Sequence, residues 1–308
     1  MQKYAILGLG FIRVFLILMG DCKMIVNGQY QTEIAIADRG LQYGDGCFTT
    51  IAYRHGCLEF YDAHIQRLKK ACRILYIDFT AWAKLTQSIK DSLNDVSSEV
   101  NALVIKIIIT RGEGGRGYSP AGSNNANFII THHPYPEFYS QWKNTGLPLT
   151  VSPILLAKQP ILAGIKHLNR LEQVLVKKAL LSTSFDDALV CDTDGVIIES
   201  SMANIFWKEN HQWYTPNLSG SGVEGVMRNQ VLAVLHDNDI EVNIVSQRPS
   251  DLLNIEEMFI CNCLMGLVPV SCLYNPCSDK QINVPKVQQT RLFQSWIDKH
   301  RTEQGLYI

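Results

Sequence analysis

Apolar positions along this chain alternate between two spacings, and each change of spacing marks a new element. From Met24 the pattern is that of short strands, MIVNG and CFTTIAYR. A helical stripe follows, with Ile65, Leu68, Cys72 and Leu75 three and four residues apart. Asp62 stands just before it and is expected to be the N-cap. Arg67 shares the adjacent stripe with His64, Ala71 and Ile74, so its guanidinium is expected to be partly buried and to need an anionic partner. The unbroken, β-branched run LVIKIIIT from Leu103 to Thr110 predicts a buried strand. It ends in RGEGGRGYSP, a glycine-rich stretch with neither a dinucleotide fingerprint nor a Walker lysine, which therefore reads as a mobile loop.

The polar and aromatic segment 132–146 (HHPYPEFYSQWKNTG) breaks the pattern and is expected to link two domains, 24–131 and 147–308. The second opens with the strand LTVSPI, after which Leu168, Leu171, Leu175 and Ala179 predict an amphipathic helix with Lys166 at its entrance. DALVCDTDGVIIESS reads as two strands joined at Asp194-Gly195, a hairpin signal, with Glu199 at the far end. The turn GVEG then leads into MRNQVLAVLHDN, where Met227, Val231 and Val234 keep helical spacing.

Composition narrows what such a chain does. It has 308 residues, enough for two cores, and 46% apolar with 19% charged residues is the balance of an ordinary globular protein. A formal net charge of −1 provides no basic field for a nucleic acid, so a small-molecule partner is expected. Nine cysteines, without zinc-type pairs and mostly inside apolar runs, read as reduced core residues of a cytoplasmic protein. Residues 1–23 resemble a signal-peptide n-region and h-region, but Arg13 interrupts the run and its length is short of a membrane span. They are expected to be an appendage outside the fold, or to precede a true start at Met24, and no membrane association is expected.

The candidate chemistry centres on Lys166 in AGIKHLNR, a lysine whose neighbours Gly164, Ile165 and Leu168 favour desolvation and hence a neutral, nucleophilic amine. Glu199 adds a carboxylate. The backbone N–H groups of Val226 and Met227, at the start of a helix, add an anion cup. A lysine, a carboxylate and an anion cup suit an aldehyde-bearing phosphate cofactor. Arg111, Arg116 and Arg170 are candidates for substrate carboxylates, and Thr49 and Thr50 in CFTT are candidates to line a cleft.

These residues sit in blocks, DRGLQYGDGCFTT, AHIQRLKKAC, RGEGGRGY, LAGIKHLNRLEQVL, ESSMANIFW, GVEGVMR and ICNCLMGLVPV, that in this order resemble the fold-type IV pyridoxal-phosphate enzymes. That family holds branched-chain aminotransferases, D-amino acid aminotransferases and aminodeoxychorismate lyases, and the blocks look closest to the lyases. The resemblance implies a mixed α/β (α+β) fold of two α/β domains with the active site between them, a homodimer, and pyridoxal 5'-phosphate as cofactor. It implies that Lys166 forms the Schiff base, that Glu199 meets the pyridine nitrogen, and that Arg67 and the amides of Val226 and Met227 bind phosphate. Cys263 stands where aminotransferases of the family tend to carry a hydroxyl residue at the phosphate, which leaves it the backbone N–H. The implied reaction converts 4-amino-4-deoxychorismate into 4-aminobenzoate and pyruvate. An aminotransferase on the same scaffold and a non-catalytic cofactor carrier are the alternatives.

Overall fold

The computed structural model of the chain describes residues 24–94, 96, 100–123 and 125–308, so the expectations for 1–23 lie outside the described residues. Two compact units result: the first runs to Tyr135 and takes in His167–Asn169 and Gly305–Ile308, and the second comprises Pro136–Lys166 and Arg170–Gln304. The division at Tyr135 and Pro136 falls within the segment expected to be a linker. That segment is nonetheless built into elements, because its histidines finish a strand and its aromatic residues form a helix.

In the first unit the order is β1 (Met24–Val26), β2 (Gln29–Gln31), α1 (Arg39–Tyr43), β3 (Gly46–Arg54), β4 (Cys57–Leu58), α2 (Tyr61–Ile74), α3 (Trp82–Asn94), β5 (Ala102–Thr110) and β6 (Asn127–Pro134). The predicted buried strand is β5, which pairs antiparallel with β3 on one side and β6 on the other. Its Leu103, Ile105, Ile107 and Ile109 have no exposed surface, while α2 packs on β3. Helix α2 starts earlier than expected: Phe60, left-handed at φ 52°, occupies the N-cap without a side-chain bond, and Asp62 lies in the first turn. A carboxylate there still favours the positive end of the helix.

The loop after β5 is organised by charges. Arg39 is 4% exposed and donates to the carbonyls of Gly114, Gly117, Tyr118 and Ser119. Asp45 receives Arg39 Nε at 2.9 Å and Arg111 Nε at 2.7 Å. Arg111 also donates to the carbonyls of Leu75 and Tyr76. Its guanidinium is therefore engaged within the fold, which removes Arg111 as a carboxylate ligand. Burial pushes the Asp45 carboxyl up, but the hydrogen bonds from Arg111 and Arg39 outweigh it and hold the group below its ordinary value. A carboxylate lowered in the folded state contributes stability above its unfolded pKa and loses it as pH falls through the folded value. Asp45→Asn is accordingly expected to destabilise the chain by about 1.5–3 kcal/mol at pH 7. The difference from wild type should shrink below about pH 4, where an unfolded carboxyl protonates. Urea midpoints at both pH values check it.

The second unit continues with α4 (Phe138–Thr145), β7 (Leu147–Val151), α5 (Leu171–Leu180), β8 (Asp187–Cys191), β9 (Ile197–Ser200), β10 (Asn204–Glu209), β11 (Gln212–Pro216), α6 (Val226–Asp237), β12 (Val242–Val245), β13 (Ile255–Asn262), β14 (Gly266–Asn275), β15 (Lys280–Asn283) and α7 (Gln288–Glu303). The final strand, β16 (Leu306–Tyr307), joins the first unit's sheet beside β4. In the second unit the strand order is β12-β11-β10-β13-β14-β7-β8-β9, with β15 paired to β14. Pairings β11 to β12, β7 to β14 and β7 to β8 are parallel. The predicted hairpin is β8 and β9, turned at Gly195 with φ 78°.

Helix α5 differs from expectation. It begins five residues after Lys166, and its buried face is Val176 and Leu180, packed with Leu156, Ala188, Val190 and Ile198. Leu171 and Leu175, expected inside, are 76% and 51% exposed. Among the described residues eight cysteines are free and six of them are buried. No described helix is long and apolar enough to cross a membrane.

Candidate active site

In the second unit one short turn gathers three of the features singled out in the sequence. Lys166 lies in an irregular segment just past the bridge between Gly164 and Val223. That bridge is made by Gly164 N–H to the Gly222 carbonyl at 3.0 Å and by Glu224 N–H to the Gly164 carbonyl at 3.1 Å. Glu199, on β9, is 5% exposed and its Oε2 accepts the Val223 N–H at 2.9 Å. Two residues beyond Val223, Gly225 is the N-cap of α6. The lysine segment, the carboxylate and the helix start thus all hang on residues 222–225.

Both glycines of this turn are required by geometry. Gly222 has φ +83°, a left-handed value, and a Cβ there would overlap the Ile198 side chain. Gly225 has an ordinary φ of −70°, but a Cβ would collide with Asn204 Oδ1. The first intrahelical bond of α6 runs from Asn229 N–H to the Gly225 carbonyl. The N–H groups of Val226, Met227 and Arg228 consequently have no carbonyl acceptor within the helix. The side chains of Val226 and Met227 are buried at 5% and 0% exposure, so only their backbone can serve an anion.

Burial dominates the electrostatics around Glu199 and holds its carboxyl above the ordinary value, although the Val223 N–H, the charges of Lys166 and Arg170, and the Gln173 amide draw it part of the way back down. Arg170 is part of this setting, with Nη2 directed at the Ile165 carbonyl at 3.4 Å. Burial lowers its pKa and the nearby Glu199 and Glu172 raise it. A buried carboxyl raised in this way is drawn into its ionised form when a cationic N–H, such as that of a protonated pyridine, is set against it.

Cys263, 7% exposed, is in the β13 to β14 turn, where Asn262 Oδ1 accepts the N–H groups of Leu264 and Met265. A separate cavity of about 330 Å³ is lined by Pro160, Gly164, Asn217, Glu224, Arg228 and Ile244 among others, and by none of Lys166, Glu199 or Cys263. Arg228, 6% exposed, donates from Nη2 to the Pro216 carbonyl at 3.1 Å.

The first unit holds the remaining candidates. Arg67 on α2 donates from Nη2 to Thr49 Oγ1, and Thr49 Oγ1 lies 2.6 Å from Nδ1 of His64. Thr49 has no exposed surface. It is therefore not a cleft-lining residue but a buried support for Arg67, while Thr50 points to the opposite face of β3. Arg116 is exposed on the loop that Arg39 organises. Sequence reasoning passed over Arg39 and Asp45, whose signal was an arginine and an acid six residues apart in DRGLQYGDG. It also passed over Asn204.

The sequence pattern of the class IV amino-transferases matches residues 46–273. The chain belongs to the class IV amino-transferase family. Among members, the aminodeoxychorismate lyase of Vibrio harveyi is 40% identical over 270 residues, 87% of this chain and 97% of that one. The D-alanine aminotransferase of Bacillus licheniformis is 24% identical over 257 residues, 82% of this chain and 88% of that one. Among solved structures, the 4-amino-4-deoxychorismate lyase of Pseudomonas aeruginosa superposes with a TM-score of 0.79 at 31% identity, covering 91% of this chain and 98% of that one. The mixed α/β architecture is that of the class IV fold, and the family uses pyridoxal phosphate.

Proposed function

We propose that this class IV protein is a lyase that converts 4-amino-4-deoxychorismate into 4-aminobenzoate and pyruvate, the former an aromatic precursor of folate. The observation that carries the reading is the 40% identity to the Vibrio lyase across 97% of its length, against 30% to a putative branched-chain-amino-acid aminotransferase of Methanocaldococcus jannaschii. The residues present fit pyridoxal 5'-phosphate: a buried carboxylate beside two positive side chains suits the ring nitrogen, and a glycine-capped helix start suits the phosphate. We assign Lys166 to the cofactor's aldehyde, Glu199 to its ring nitrogen, and the amides of Val226 and Met227 to its phosphate. Arg67 and the Cys263 N–H are further phosphate ligands in this reading, by family resemblance.

When bound, the cofactor supplies an electron sink for a carbanion next to the substrate nitrogen. The Lys166 amine removes the proton from substrate C4. Glu199, held in its ionised form by the ring N–H, would in turn keep the sink deep. As the C–O bond to the enolpyruvyl group breaks, Lys166 hands its proton to the departing oxygen, and the ring becomes aromatic. Arg116 is the candidate for a substrate carboxylate, whereas Arg170 favours the ionised form of Glu199.

We also infer a cytoplasmic homodimer. The row Leu171, Val174 and Leu175, exposed along α5, supports a partner of the same chain, and eight free cysteines suit a reducing compartment. Incubation of the reconstituted protein with 4-amino-4-deoxychorismate should yield 4-aminobenzoate and pyruvate in equal amounts. Formation of a keto acid, with the cofactor left in its amine form, would identify an aminotransferase instead. A yellow protein that leaves the substrate untouched would be a carrier.

A further inference from the structure

The bonds around Val223 converge on one further side chain. Asn204, the first residue of β10, is 5% exposed. Its Nδ2 donates to the Val223 carbonyl at 2.8 Å, and its Oδ1 accepts the Gly225 N–H at 3.1 Å. The Val223 N–H, in the preceding peptide group, is taken by Glu199. Asn204 therefore grips the turn at both ends of Glu224, and does so with the two different atoms that only an amide offers. No bound ligand is needed for these bonds; they exist within the fold.

We propose that Asn204 is a positioning residue that aims the first N–H groups of α6 at the cofactor phosphate. The physical reason is directional. Gly225 is the N-cap of α6, so its conformation sets where the Val226 and Met227 N–H vectors point. No side chain caps this helix start from position 225, because glycine has none; Asn204 reaches in from a neighbouring strand to fix the Gly225 peptide instead. The missing Cβ at Gly225 is the space that Asn204 Oδ1 occupies. A second element of the proposal is that the effect is confined to the phosphate end. Glu199 keeps its Val223 bond through its own side chain, so the ring end has separate support.

The proposal rests on the assignment of the Val226 and Met227 amides to phosphate, and the test separates the two claims. Full-length protein freed of cofactor is titrated with pyridoxal 5'-phosphate and, separately, with pyridoxal, which lacks the phosphate. Wild type should prefer the phosphorylated form. In Asn204→Ala the affinity for pyridoxal 5'-phosphate should fall by about tenfold or more, in line with two lost hydrogen bonds, while that for pyridoxal changes less than about threefold. Asn204→Asp keeps an acceptor for Gly225 but sets a negative charge beside the phosphate seat; its preference for the phosphorylated form should fall further still, with pyridoxal again little changed. It also stands in if the alanine variant does not fold. Equal losses for both ligands would make Asn204 a general structural residue and overturn the proposal, as would no loss for either. A wild type that binds both forms equally would instead reject the phosphate assignment itself, and the proposal with it.

Discussion

Replacement of Lys166 by alanine is expected to abolish the visible absorbance of the bound cofactor and to lower turnover by about 10⁴-fold, the upper range for loss of a positioned general base. The size follows from the double use of one amine, which both attaches the cofactor and moves the proton. Its surroundings predict that the fold survives: Lys166 is in an irregular segment, and the bridge that anchors this stretch is made by the backbone of Gly164. Circular dichroism should therefore be unchanged while the spectrum and 4-aminobenzoate release are lost. A colourless variant that still releases 4-aminobenzoate at the wild-type rate would sink the assignment.

Glu199→Gln should cost about 10²-fold to 10³-fold in turnover, as for removal of one preorganised charge aimed at the reacting centre, with the cofactor still retained. Burial keeps this carboxyl above its ordinary value even with the Val223 N–H, Lys166, Arg170 and Gln173 drawing it down, so the ring N–H is what completes its ionisation. Glutamine can keep the bond to Val223, but it cannot oppose the positive charge of a protonated ring nitrogen. The absorbance of the bound cofactor should shift toward that of the unprotonated ring, and the loss should fall on kcat more than on KM. Wild-type kcat with an unshifted spectrum would show that Glu199 is only a buried structural acid.

Much of the fold was legible because local signals agreed with the final packing. Asp194-Gly195 between two apolar runs specified the β8 and β9 hairpin, and the unbroken run Leu103 to Thr110 specified a strand paired on both sides. Where an apolar residue does not face its own core, periodicity misleads. Leu171 and Leu175 fit a helical stripe yet are exposed, because Val176 and Leu180 carry the packing of α5. Asp62 looked like a cap, but the chain enters α2 through a left-handed Phe60, a conformation that no residue-type preference announces.

The candidate site was legible in its parts and not in its wiring. Lys166, Glu199 and the GVEG turn each carried a chemical signal. That Gly164, Glu199 and Asn204 all bond to residues 222–225 is a matter of contacts spanning up to 60 positions, which spacing along a chain does not encode. Thr49 shows the converse. A threonine in a strand reads equally as cleft or core, and its bonds to Arg67 and His64 decide for the core.

The turn at 222–225 carries a further consequence, for how such a protein can change over evolutionary or laboratory time. Three separate stretches of chain read its backbone by position, so its length is quantised: adding or deleting one residue would present the wrong peptide group to every partner at once. The Glu224 side chain, which accepts from Asn229 Nδ2, is not part of that backbone reading. Variation in what the enzyme accepts is therefore expected to accumulate elsewhere in the chain, and loop grafting that alters the register between Gly222 and Gly225 should not be absorbed by this scaffold.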